Sequence, residues 1–208
     1  MSNCVEQQSM FFYILILLFS VIFSIFLFWR RLREDYLTSQ IFTAFFYSVF
    51  GFSAMIVISL FVYKNWWFWL TLIGGHLGLY YGIYRFKLKI FEVYEAFVFA
   101  GITFFSVAGL IISLFGLSVT GSIYFFITLL LIPVYFLLSR NYKKISLYRS
   151  GRFGVAGVSI AALFFLIRIP VAVSTDNMIS FVGKIDWIPS AVSFFIFLIV
   201  IIYLAFSK

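Results

Sequence analysis

LTLIGGHLGLYYG, residues 70–82, sets the only histidine of the chain, His76, in an apolar segment that also carries Gly74, Gly75, Gly78 and Gly82. The rest of the chain repeats the pattern. Of its 208 residues, 64% are hydrophobic and 24% aromatic, only 11% are charged, and the mean hydropathy is +1.13. No soluble domain of this size can bury so much apolar side chain, so the chain is expected to be an all-α, polytopic membrane protein.

At about 20 apolar residues per crossing, the charge clusters divide the chain into seven expected transmembrane helices. They lie at about 10–29, 41–63, 66–84, 91–115, 119–138, 153–173 and 188–206 and form a single helical bundle over 1–208. The first run is longer than the apolar core of a signal peptide and no small-residue cleavage site follows it, so it is expected to stay as a helix. Arg30, Arg31, Arg33, Arg85, Lys87, Lys89, Arg140, Lys143, Lys144, Arg149, Arg152 and Lys208 fall in alternate connections or the tail, all on one side. Only Lys64 and Lys184 fall on the other side, and Arg168 lies within a span. The positive-inside rule then puts the N-terminus outside and the C-terminus in the cytoplasm. The formal net charge of +8 follows from this topology and calls for no nucleic-acid partner. Aromatics mark the same boundaries: NWWFW at 65–69 and Trp187 at outer ends, Trp29, Tyr84 and Tyr203 near inner ends.

With the third span running inward, His76 lies about ten residues, or about 15 Å, below the outer boundary. At 100° per residue, Gly74, Gly78 and Gly82 fall at about 0°, 40° and 80°, a narrow stripe suited to close helix packing, with His76 nearly opposite at about 200°. His76 is therefore either a neutral imidazole bonded to a nearby hydroxyl or carbonyl, or a member of a polar site. Arg168, in FFLIRIPVAV, lies roughly two turns below the outer surface and just before Pro170. It either snorkels to the headgroups or holds a phosphate with its planar fork.

Other polar residues read as structural. Glu92 and Glu95 are expected to form solvated ion pairs at the start of the fourth span, near Lys87 and Lys89. Asp186 with Pro189 reads as a helix start, and Ser106 as bonding back to its own helix. The single cysteine, Cys4, excludes an internal disulfide. No Ser/His/Asp set, zinc spacing or phosphate-cradling loop appears, so neither a metal nor a cofactor is expected. GRFG at 151–154 reads as a helix entry bearing glycines.

The segments IGGHLGLYYGIYRFKLKIFEVYEAFVFAG, SGRFGVAGVSIAALFFLIRIP and IDWIPSAVSF, in this order on seven spans, resemble the prolipoprotein diacylglyceryl transferase family. The pattern covers about two-thirds of the chain. The resemblance implies transfer of diacylglycerol from phosphatidylglycerol to the lipobox cysteine of a prolipoprotein, releasing glycerol phosphate, in a prokaryotic plasma membrane. Its partners would be that phospholipid and prolipoprotein signal peptides. Gly74, Gly75 and Gly78 fall on the glycines of the family motif, while Ile73 occupies its histidine position and Ser106 its fourth-span arginine position. His76 lies about 60° around the helix and one turn deeper than Ile73, and would act as the catalytic candidate. Arg168 matches a family arginine and would bind the lipid phosphate. The outer segment after the fourth span is reduced to 116–120. Two alternatives stand beside this one: a non-catalytic relative that binds lipid or signal peptides or serves as a scaffold, and an unrelated small transporter whose His76 and Arg168 line a path.

Overall fold

The computed structural model describes residues 2–62, 66–116, 118–141, 154–174 and 184–206. Lys64, Lys143, Lys144, Arg149, Arg152, Asp176, Asn177 and Lys208 lie outside these. The regular structure among the described residues is helical throughout: α1 (Ser2–Leu32), α2 (Thr38–Val62), α3 (Trp67–Phe86), α4 (Ile90–Phe115), α5 (Val119–Leu129), α6 (Leu131–Asn141), α7 (Val155–Ser174) and α8 (Trp187–Phe206), with a 3-10 turn at Lys184–Asp186. Six stretches are long and apolar enough to cross a membrane: Ile14–Leu32, Thr38–Val62, Ile90–Phe115, Val119–Asn141, Val155–Val173 and Trp187–Leu204. The third expected span, α3, forms as a helix but falls outside that set, because His76, Arg85, three tyrosines and four glycines dilute its apolar residues.

Local chemistry sets the breaks. The expected fifth span, 119–138, divides at Leu130, since Pro133 has no N–H for the Leu129 carbonyl and its ring crowds that oxygen. The Leu130 N–H still donates to the Phe126 and Ile127 carbonyls, at 3.2 and 3.1 Å, so α6 continues directly from α5. Ser118 caps α5, accepting from the Gly121 N–H at 3.2 Å. Gly154 opens α7 at φ +112, where a Cβ would also stand 2.6 Å from Phe91 Cβ. A side chain there would meet both backbone strain and a clash.

α4 is the central helix. The nine residues from Glu92 to Ala100 are all buried, as expected of a helix surrounded by others rather than one with a single inward face. α7 is similarly enclosed, whereas α1, α2 and α8 lie at the periphery with apolar faces outward. α2 and α3 approach most closely, along the predicted glycine stripe. A Cβ on Gly74 would overlap the Gly51 carbonyl and Met55, one on Gly78 would overlap the Tyr47 carbonyl, and one on Gly82 would stand 2.8 Å from Ala44 Cα. Across the same seam Ser48 donates to the Gly75 carbonyl at 2.9 Å. Stacked rings link α3, α7 and α8, Trp69 on Phe165 and Phe165 on Phe197, with centroids 5.7 and 5.6 Å apart.

Candidate functional site

The stripe turns His76 away from α2 and toward α4. Its Nδ1 is 2.7 Å from the Leu72 carbonyl oxygen, one turn back on its own helix, and its Nε2 is 3.3 Å from the Tyr94 hydroxyl. A carbonyl only accepts, so Nδ1 carries the hydrogen; in the neutral ring Nε2 then accepts from Tyr94. The Phe97 ring lies edge-on to the imidazole, 5.4 Å between centroids. Both nitrogens are thus engaged, and the neutral tautomer satisfies them.

Arg168 is fully buried and does not reach the headgroups. Its Nη2 donates to Asp186 Oδ2 at 3.0 Å, and its guanidinium lies over the Phe68 ring, 3.9 Å from the centroid. Trp69 Nε1 donates to the other carboxylate oxygen, Oδ1, at 3.0 Å. Asp186 ends the 3-10 turn just before α8, as its helix-start reading requires, and its carbonyl accepts from Ser190 Oγ. The fully buried Tyr124 of α5 stands within electrostatic reach of both Arg168 and Asp186. Four elements therefore meet at one ionic centre: the start of α3, α5, α7 and the entry to α8. In place of snorkelling, Arg168 forms an internal ion pair, in which each charge offsets part of the other's burial cost.

A second polar network occupies the opposite end, where α4 begins. Glu95, expected in solvent, is buried; its Oε1 accepts from Arg31 Nη2 at 3.2 Å and from the Tyr135 hydroxyl at 2.8 Å, and Arg31 Nε donates to that hydroxyl at 3.3 Å. Gly157 of α7 lies against Glu95, a Cβ there falling 2.6 Å from Glu95 Cα, and this leaves the carboxylate pointing toward α1 and α6. One turn earlier Glu92 makes the expected pair with Lys89, at 3.0 Å, but its carboxylate is buried rather than solvated and also accepts from the Tyr36 hydroxyl at 2.7 Å. Burial, then the Glu92 carboxylate beside it, pushes the Tyr36 phenol up to about 12. Ser106 bonds across to Thr128 of α5 at 3.0 Å rather than back to its own helix.

His76 and Arg168 are not brought together. His76 bonds Leu72 and Tyr94 whereas Arg168 pairs with Asp186, and seven residues of α3, about 10 Å of helix, separate His76 from Trp69. No group of three potential metal ligands occurs among the described residues. Asp186, Trp69 and Tyr124 were missed as partners of Arg168. The available signal was the cost of an arginine inside a span, which demands a carboxylate nearby. Comparison of the chain with family models, curated proteins and solved structures gives no match.

Proposed function

We propose that the chain is a seven-span integral protein of a prokaryotic plasma membrane, N-terminus outside and C-terminus cytoplasmic, acting as a non-catalytic, phospholipid-binding scaffold. The length of α3 supports its counting as the seventh span. Its 20 residues cover about 30 Å, the thickness of a hydrocarbon core. It begins beside the Arg168 centre, and just past its end the Lys89 N–H donates to the Tyr36 hydroxyl at 3.1 Å.

One observation carries the scaffold reading: the complete burial of Arg168 against Asp186 and Phe68. A phosphate-holding arginine must present its fork to an incoming lipid, and this one is enclosed in the bundle with its Nη2 on a carboxylate of the same chain. Diacylglyceryl transfer from phosphatidylglycerol to a lipobox cysteine is the second reading, favoured by the meeting of Arg168 with a tyrosine hydroxyl in one polar centre. For that chemistry Asp186 must first withdraw. Incubation of the purified protein with phosphatidylglycerol and a lipobox peptide distinguishes the two. The scaffold reading expects retained phospholipid and no thioether product; thioether formation by the wild-type protein establishes the transferase instead.

A further inference from the structure

The geometry points to a binding site for an anionic glycerophospholipid at the end of the α2–α3 seam remote from Arg168, centred on Arg85. This rests on the lipid-binding reading above and gives it a location. Because Gly78 lets α3 press onto the Tyr47 backbone, the rings of Tyr47 and Tyr81 meet edge-on, 4.9 Å between centroids, where the two helices join. Arg85, one turn beyond Tyr81, donates from Nη1 to its hydroxyl at 3.4 Å and stands within electrostatic reach of Tyr47 as well.

Arg85 is exposed, and no ion pair to it occurs among the described residues. It therefore differs from Arg31 and Arg168, whose charges are met inside the bundle. A guanidinium and two phenol hydroxyls in one place offer a phosphodiester several donors. Below them, Ile73 and Leu77 continue the line of Tyr81 at four-residue spacing, 51% and 63% exposed. This apolar strip runs toward mid-membrane in the direction an acyl chain takes from a headgroup at Arg85. Donors at the end of a span with an apolar track leading inward match a lipid; a free phosphate would need only the donors. Being at the end of the third span, the site faces the leaflet on the basic side, where anionic lipids are drawn to cationic residues.

The test is native mass spectrometry of the purified, delipidated protein given equal phosphatidylglycerol and phosphatidylcholine in mixed micelles. Wild type is expected to retain phosphatidylglycerol preferentially. Arg85→Gln should reduce that preference about three- to tenfold, the contribution of one cation at a headgroup surface, with phosphatidylcholine retention unchanged. Tyr47→Phe with Tyr81→Phe should reduce it in the same direction. Arg33→Gln, at the same end but stacked over Trp29, should leave the preference as in wild type. An unchanged preference in Arg85→Gln, or an equal loss in Arg33→Gln, refutes the site while leaving the scaffold reading intact. If wild type retains neither phospholipid, the scaffold reading itself fails. Displacement of the lipid by millimolar glycerol phosphate would assign the donors to a soluble phosphate and overturn the lipid assignment.

Discussion

Arg168 and Asp186 are each costly inside a membrane protein, and each offsets part of the other's cost. Replacing one member strands the other, which for buried pairs costs about 3–5 kcal/mol. Arg168→Gln and Asp186→Asn should each lower thermal stability in detergent strongly, while the double variant should lose less than the sum, by about 1–3 kcal/mol of coupling. Additive losses would mean that the pair contributes little as a pair. Tyr36 gives a second prediction at this scale. The unfolded phenol titrates near 10 and the folded one near 12, so the folded state keeps a proton that the unfolded chain releases. Its stabilising contribution is therefore complete below pH 10 and is lost as the pH rises toward 12. Tyr36→Phe should flatten the alkaline decline in stability over that window; an identical decline would assign it to other groups. These pairings were not legible in the chain. Arg31 and Glu95 are 64 positions apart and Trp69 and Asp186 are 117 apart, and no periodicity links residues on different helices. The isolated charges themselves were visible, and it is their cost that makes partners necessary.

At the scale of helices, glycine has opposite roles at two places. Gly78 allows backbone contact, and even Gly78→Ala would push its Cβ into the Tyr47 carbonyl. Separating α2 from α3 should cost about 1–3 kcal/mol, and Gly78→Leu more. Gly101, in the middle of α4, has nothing within 4 Å of where its Cβ would stand, so Gly101→Ala should gain about 0.5–1 kcal/mol from helix propensity alone. Thermal unfolding of both variants checks the contrast; equal effects would show that propensity and not contact governs the seam. The seam was readable because three glycines at four-residue spacing must share a helix face. Its partner was not, since Ala44, Tyr47 and Gly51 also recur at a helical period but could have met any neighbour. The division between α5 and α6 was readable in principle from Pro133 alone.

For the whole molecule, the strongest signal in the chain is the alternation of basic connections, and it reflects insertion energetics more than any contact in the folded bundle. The two polar centres lie at opposite ends, and the ends agree with that alternation: Arg31, Lys89 and Arg140 at one, the entries to α3, α5 and α8 at the other. Because α3 is the one expected span outside the six long apolar stretches, the count of spans turns on it. If α3 did not cross, α4 to α8 would all invert relative to α1 and α2, and Val119 would share a side with Arg33. Labelling with a membrane-impermeant maleimide, in a Cys4→Ser background, decides between these arrangements. Val119→Cys, at the α4–α5 connection and 73% exposed, should react in intact cells. Arg33→Cys, at the α1–α2 connection, should react only after permeabilisation. Reaction of both in intact cells, or of neither, would remove α3 from the set of spans and put the Arg85 site and the Arg168 centre on the same side of the membrane.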